Sequence, residues 1–454
     1  MIGTSLGDAT ELALRIRRRD LSPVEALAEH RSRIERLNPE LNAIVTEAPD
    51  ADEQARAAEA AVRRGDELAP LHGVPFTVKD TFDTAGVRTT RGSRLFADHV
   101  PDRDATVVAR AKAAGGILLG KTNTPEFALW WETANLVFGR TSNPYDVQRT
   151  SGGSSGGEAV AVAKGMSSLG IGSDLGGSIR LPAHYCGVVG FKPTHGRVPL
   201  TGHFPETLFR FMHAGPLARS VRDAALALAV LEGPDGEDWY AAPLPTPGKD
   251  EAPLRVGWTA EPALGTVEPD VARAVAAAAE GLAAAGFAVE QAAPERLAEV
   301  DTNALTLQLY GAESGAYFEE VVGERRADLH PSIQRRLGLR AESLADYVAA
   351  EAAVERLRRD LASFFRRHDI LLCPTAPVVA PPHDAEEIVI RGVAAPPRAA
   401  MRATIPFDLT GSPALTVPFT RSSEGLPIGV QLVGRRFEDE TVLRAGAAVE
   451  AAAR

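Results

Sequence analysis

Two glycine-framed serines stand 24 positions apart in this chain, with no histidine between them. Ser154 lies in Ser151-Gly152-Gly153-Ser154-Ser155-Gly156-Gly157, and Ser178 closes Asp174-Leu175-Gly176-Gly177-Ser178. In the second stretch the paired glycines let successive backbone N–H groups converge into a concave nest that attracts an oxyanion. A hydroxyl at the end of such a nest has a stabiliser for developing negative charge beside it. A serine hydroxyl is a weak nucleophile, so a base must take its proton. Lys79, at the end of the apolar run Pro75-Phe76-Thr77-Val78, is one candidate, because desolvation lowers the pKa of an amine. The neighbouring Asp80 offers Lys79 an ordinary ion pair instead, and the local sequence does not choose between the two. Asp174 and Arg180 flank the nest and can brace it by a salt bridge. Ser155-Gly156-Gly157-Glu158 reads as a capping box, which commits the Ser155 hydroxyl to a backbone N–H and leaves that of Ser154 uncommitted. Glycine and serine are also ordinary loop residues, so the first stretch alone stays open to a plain loop reading.

Two shorter motifs point elsewhere. Gly115-Gly116-Ile117-Leu118-Leu119-Gly120-Lys121-Thr122 satisfies the phosphate-loop pattern G-x-x-x-x-G-K-T. A phosphate-cradling loop needs exposed N–H groups, whereas Ile117, Leu118 and Leu119 suit a buried strand, and Pro125 falls where the capping helix should run. Gly152-Gly153-Ser154-Ser155-Gly156 fits the G-x-S-x-G nucleophile elbow, with His195, His203, His213 and His383 downstream. An elbow needs a strand leading straight into its serine, and Thr141-Ser142-Asn143-Pro144-Tyr145-Asp146 reads as turn and loop. The histidines then read as surface or packing residues.

The elements that must position these groups follow from periodicity. Ser22-Pro23-Val24-Glu25 is a capping box with proline at the first helical position, and Val24, Leu27, Ile34 and Leu37 recur at helical spacing. A second helix is expected over Ala51–Arg64, making the first seventy residues a helical layer. From His72 onward, short apolar runs alternate with helical patterns: GVPFTVKD, DATVVARAKAAG, then GGILLGKTN. LRVGW, an alanine-rich helix, GFAVE, DILLCPTAP, PALTVPF and PIGVQLVG continue the alternation. This is the signature of an α/β sheet covered on both faces. The proline-rich stretch Ala242 to Pro253 is a candidate linker, although α/β patterning on both sides also suits one shared sheet.

Composition sets outer bounds. Hydrophobic residues at 44% and charged residues at 24% are ordinary for a globular protein. A net charge of -11 argues against nucleic acid or an anionic membrane as a partner. The one basic run, Arg15 to Arg19, is short and reads as a solvated helix face. Two cysteines, Cys186 and Cys373, make no disulfide framework and suit a reducing compartment. No secretory signal pattern and no apolar run near the ~20 residues of a membrane span is visible, so a cytoplasmic location is expected.

At this point the chain resembles the amidase signature family of serine hydrolases. The likeness is carried by GVPFTVKD, GRTSNPYDVQRTSGGSSGGEAVAVA and GIGSDLGGSIRLPAHYCGVVGFKPTHGRV, with support from PFDLTGSPALTVPF and GLPIGVQLVG. It implies a single domain over residues 1–454 built on a mixed β-sheet flanked by helices on both faces. Within it, residues 1–70 form the helical layer, 72–235 the catalytic core and 254–454 the part completing sheet and pocket. The resemblance further implies a Ser-Ser-Lys triad: Ser178 as nucleophile, Ser154 as bridge and Lys79 as general base. The backbone N–H groups of Leu175, Gly176, Gly177 and Ser178 match the oxyanion hole, and no metal or organic cofactor is implied.

The implied activity is amidase action on a small amide, carbamate or ester through an acyl-enzyme, with water as acyl acceptor. Phe127, Ala128, Leu129, Trp130 and Trp131 lie where relatives place substrate-channel residues, which favours an aryl amide or a urethane, although aromatic residues can equally pack a core. The loop Thr201 to His213, with Phe204, Phe209, Arg210 and Met212, is a second pocket candidate. A monomer or homodimer is expected. The alternative is the glutaminase component of a tRNA-dependent amidotransferase. Against it, Leu175 stands where a threonine is common and Leu181 where a glutamine is common, and Asp408 replaces a frequent asparagine.

Overall fold

Short apolar runs bounded by glycine and proline build the centre of the molecule. The structure, a computed structural model, describes residues 7–243, 253–261, 263–337 and 343–453. Its strands are β1 (Ile44–Glu47), β2 (Pro75–Lys79), β3 (Ile117–Thr122), β4 (Ala134–Asn135), β5 (Gly139–Arg140), β6 (Leu169–Asp174), β7 (Val189–Lys192), β8 (His213–Ala218), β9 (Arg255–Trp258), β10 (Ala288–Gln291), β11 (Ile370–Pro374), β12 (Ile388–Ile390), β13 (Val393–Ala395), β14 (Ala414–Arg421) and β15 (Pro427–Gly434). Eleven of them form one sheet in the order β1-β3-β2-β6-β8-β7-β14-β15-β11-β9-β10. The sheet is mixed: β2 runs parallel to β3 and β6, whereas β6 pairs antiparallel with β8. Helices cover it, as a sheet with every residue of β2, β3, β6 and β15 buried requires.

The helical expectations for the N-terminal segment are met at Pro23–Leu41, capped reciprocally by Ser22 and Glu25, and at Ala51–Arg64. The segment is not helical throughout. Ile44–Glu47 pairs antiparallel with β3 and extends the sheet, a strand too short to announce itself between two helices. The phosphate-loop lookalike is β3 itself; Lys121 is buried, with its ammonium at 2.8 Å from Thr84 Oγ1 and 3.2 Å from Thr89 Oγ1. Residues 244–252 of the candidate linker lie outside the described residues, and the strands on either side, β8 and β9, share the sheet. Cys186 and Cys373 are buried free thiols. Among the described residues no helix is long and apolar enough to cross a membrane.

The parallel pair β2 and β6 matters most for chemistry. Both strands end at the same edge of the sheet, where Lys79 closes β2 and Asp174 closes β6.

Candidate active site

Lys79 is fully buried, and its Nζ donates to Ser154 Oγ at 2.6 Å and to Ser173 Oγ at 3.0 Å. Burial lowers its pKa to about 7, against the opposing pull of the Asp174 and Glu158 charges. Asp80, the alternative ion-pair partner, turns away and accepts from Thr90 Oγ1 at 2.6 Å and Thr90 N at 3.0 Å. The surface ion pair is thereby excluded.

Ser154 follows a cis Gly153–Ser154 peptide in a loop just ahead of the helix Gly156–Ala163. Ser155 N donates to Ser178 O at 3.0 Å, which ties the two serine loops together. Ser178 is nearly buried, with 8% of its surface exposed, just before the helix Arg180–Cys186. Among the described residues no hydrogen bond joins Ser178 Oγ to Ser154 Oγ.

The capping box expected at Ser155 does not form. The Ser155 hydroxyl donates to Ser173 O at 3.2 Å, while Glu158 accepts from Thr77 Oγ1 at 2.5 Å and Thr122 Oγ1 at 2.8 Å. Burial pushes the Glu158 carboxyl up to about 8. The helix N-terminus is satisfied from outside: Gly156 N donates to Thr133 Oγ1 at 3.1 Å and Gly157 N to Asn123 O at 3.3 Å.

The nest is built by anchoring its carbonyls. Tyr310 OH donates to Leu175 O and Thr404 Oγ1 to Gly176 O, each at 2.7 Å, and Leu181 N donates to Gly177 O at 2.7 Å. In a trans peptide the N–H points opposite to the carbonyl, so these anchors turn the N–H groups of Gly176 and Ser178 the other way. Among the described residues, no protein group accepts the N–H of Leu175, Gly176 or Ser178. Gly177 departs from the expected hole: its N–H donates to Asp174 Oδ1 at 2.5 Å and is already committed. Gly177 sits at φ +124°, and a Cβ there would lie 2.3 Å from Thr404 Oγ1, so only glycine fits.

Asp174 and Arg180 form a buried ion pair, with Arg180 Nε and Nη2 each 3.0 Å from the carboxylate. Although burial opposes it, the Arg180 charge and hydrogen bonds hold Asp174 well below the usual carboxylate range. Arg180 also donates to Thr404 O and Gln431 Oε1 at 2.9 Å and to Asp408 Oδ2 at 2.7 Å.

The aromatic segment divides. Phe127 has no exposed surface and stacks on Phe318 with ring centroids 5.5 Å apart; Trp131 is buried as well. Phe127 and Ala128 are successive left-handed residues, and the Phe127 ring packs in an apolar cluster with Phe204 and Phe318. Ala128 is half-buried. Leu129 does line a slot of about 20 Å³, room for about one water, with Leu208, Thr306, Tyr310, Phe318 and Arg336. Through Leu208 the 201–213 loop contributes to this slot, whereas Phe204 and Met212 pack inward and Arg210 pairs with Glu313 and Glu351. Ser173, Tyr310, Thr404, Gln431 and Arg336 carried no sequence signal. Among the described residues no group of three or more histidine, cysteine or acidic side chains could hold a metal ion.

The sequence profile of the family described as Amidase matches residues 25–443. The glutamyl-tRNA(Gln) amidotransferase of Moorella thermoacetica has an A component that is 38% identical over 479 residues, covering 97% of this chain and 96% of its own. A solved structure from a vestigial protein complex that bears on the origins of an s-triazine catabolic enzyme superposes with a TM-score of 0.91 at 33% identity, covering 98% of this chain and 99% of that one. A 6-aminohexanoate cyclic dimer hydrolase superposes with a TM-score of 0.87 at 30% identity, covering 99% and 98%.

Proposed function

The chain belongs to the amidase signature family, enzymes that act on carbon–nitrogen bonds, and on that premise we propose that it hydrolyses a small carboxamide through a Lys79–Ser154–Ser178 relay. The observation that carries this reading is the buried 2.6 Å hydrogen bond from Lys79 to Ser154. With its pKa near 7, Lys79 supplies an uncharged amine at neutral pH. The proton of Ser178 passes to Ser154, whose own proton passes to Lys79, as Ser178 Oγ bonds to the amide carbon. The N–H groups of Leu175, Gly176 and Ser178 meet the charge on the former carbonyl oxygen. The relay then returns a proton to the leaving nitrogen and the C–N bond breaks. Water finally releases the acyl group from Ser178 as a carboxylate. The test is covalent labelling by a serine-directed phosphonate together with amine or ammonia release; both must vanish in Ser178→Ala, and persistence of either overturns the assignment.

Phe127 and Trp131, which suggested aryl amides and urethanes, are buried. A second reading follows: glutamine carries a carboxylate and a carboxamide, and the Moorella thermoacetica amidotransferase component matches this chain over nearly its full length. Ammonia release from succinamic acid, glutamine and a neutral aliphatic amide, with aniline release from an anilide, separates these. Preference for glutamine that appears only with the other amidotransferase components added establishes the second reading; succinamic acid turned over by the chain alone establishes the first.

A further inference from the structure

The oxyanion loop rests on a buried cluster whose proton count the relay does not use. Asp408, in the short helix Ile405–Leu409, is fully buried; its Oδ2 accepts from Arg180 Nη2, but its Oδ1 has no hydrogen-bond partner. An ionised carboxylate left with a bare buried oxygen is costly. The same guanidinium is taken by Asp174: Arg180 Nη2 is 3.0 Å from Asp174 Oδ1 and 2.7 Å from Asp408 Oδ2, so the two carboxyl groups flank one nitrogen.

The surrounding elements supply no second full counter-charge. From β8, His213 Nδ1 is 3.6 Å from Asp408 Oδ1 but 3.3 Å from the backbone carbonyl of Asp174, where it donates. From β7, Lys192 gives its Nζ to Ser412 O at 2.5 Å, and its burial holds its pKa at about 7. From the helix Thr302–Val322, Tyr310 presents a hydroxyl already spent on Leu175 O. From β15, Gln431 gives its amide nitrogen to Ala403 O and its oxygen to Arg180. Two adjacent carboxyl groups that share one guanidinium hold one proton between them. Asp174 collects five donors: Gly177 N, Ile179 N, Arg180 N, and Arg180 Nε and Nη2. The proton therefore resides on Asp408.

We infer that Asp408 is a positioning residue: as a neutral acid it donates a hydrogen bond to Asp174, and so holds the carboxylate that fixes Gly177 and the loop presenting Gly176 and Ser178. Burial above all, and the neighbouring Asp174 charge, raise the Asp408 pKa well above the ordinary carboxylate value, against the pull of Arg180. The brace is intact while Asp408 is protonated and fails as pH rises through its pKa, whereas Lys79 becomes competent only above about 7. Activity therefore has an alkaline limb owed to Asp408, opposite to the acid limb owed to Lys79.

The inference rests on the proposed relay for its kinetic consequence, but the proton itself has a separate readout. An infrared difference spectrum, wild type minus Asp408→Asn at neutral pH, is expected to show the carbonyl stretch of a protonated carboxylic acid; its absence overturns the inference whether or not the protein cleaves amides. The rate of Ser178 labelling by a neutral phosphonate, followed from about pH 6 to about pH 10, gives the second readout. Asp408→Asn keeps a donor and is expected to retain the neutral rate while losing the alkaline limb. Asp408→Ala is expected to slow labelling and kcat about tenfold at every pH with KM little changed, the effect of one lost buried hydrogen bond. An alkaline limb unchanged in Asp408→Asn, or Asp408→Asn as slow as Asp408→Ala, overturns the positioning role. Failure of the wild type to label at any pH strikes the proposed relay, and the infrared band still decides the proton.

Discussion

Two S-x-x-E segments stand at the starts of helices in this chain, and only one of them caps its helix. At Ser22 the box is exposed: Glu25 N donates to Ser22 Oγ at 3.1 Å and Ser22 N to Glu25 Oε2 at 2.8 Å. At Ser155 the same spacing is buried, and both side chains desert the helix for the sheet. Their new partners are informative. Glu158 binds Thr77 on β2 and Thr122 on β3, and Ser155 binds the carbonyl of Ser173 on β6, the residue whose hydroxyl Lys79 touches. A motif surrounded by solvent is satisfied locally, whereas in the interior the same residues serve the strands that hold the base.

The contrast can be broken or sharpened by substitution. The largest effect is expected beyond the second box itself: Ser178→Ala should reduce kcat on the order of 10⁴-fold or more with the melting temperature unchanged. Next, Lys79→Met should cost on the order of 10³-fold, and in the wild type kcat/KM should climb as pH rises through about 7, where the amine loses its proton. A flat profile across that range would remove Lys79 from the relay. Glu158→Ala leaves two buried threonine hydroxyls without their acceptor and should cost about 3 kcal/mol in denaturant unfolding, with Glu158→Gln recovering most of it. The smallest effect belongs to the first box: Ser22→Ala should cost about 1 kcal/mol of stability and leave kcat untouched. If Ser22→Ala destabilised as much as Glu158→Ala, the distinction between a local and a tertiary box would be lost.

Most strands and helices were legible in sequence because each is encoded by its neighbours, whereas Lys79, Ser154 and Ser178 were joined into one relay only by the resemblance to a family. Apolar runs such as PFTVK and PIGVQLVG name their own burial, and Gly176-Gly177 names its own turn. What stayed hidden depends on distant chain. Arg180 finds Thr404 and Gln431 at separations of 224 and 251 residues, and Tyr310 reaches Leu175 across 135. No local pattern encodes such meetings. The commitment of Gly177 N–H to Asp174 was equally invisible, since a glycine pair permits a nest without saying which N–H remains free. Phe127 is ambiguous for the converse reason: an aromatic side chain suits a pocket and a core alike, and here it packs in an apolar cluster beside the turn at 127–128.

The brace behind Ser178 also has a timetable. Lys79, Ser154 and Ser178 leave the ribosome early, as does the Asp174 partner of Arg180, but the other partners of Arg180 stand at 404, 408 and 431. A polypeptide still being translated thus carries its reactive serine before it carries the scaffold that shapes the loop around it. The loop around Ser178 is therefore fully braced only once the last strands, β14 and β15, have been synthesised.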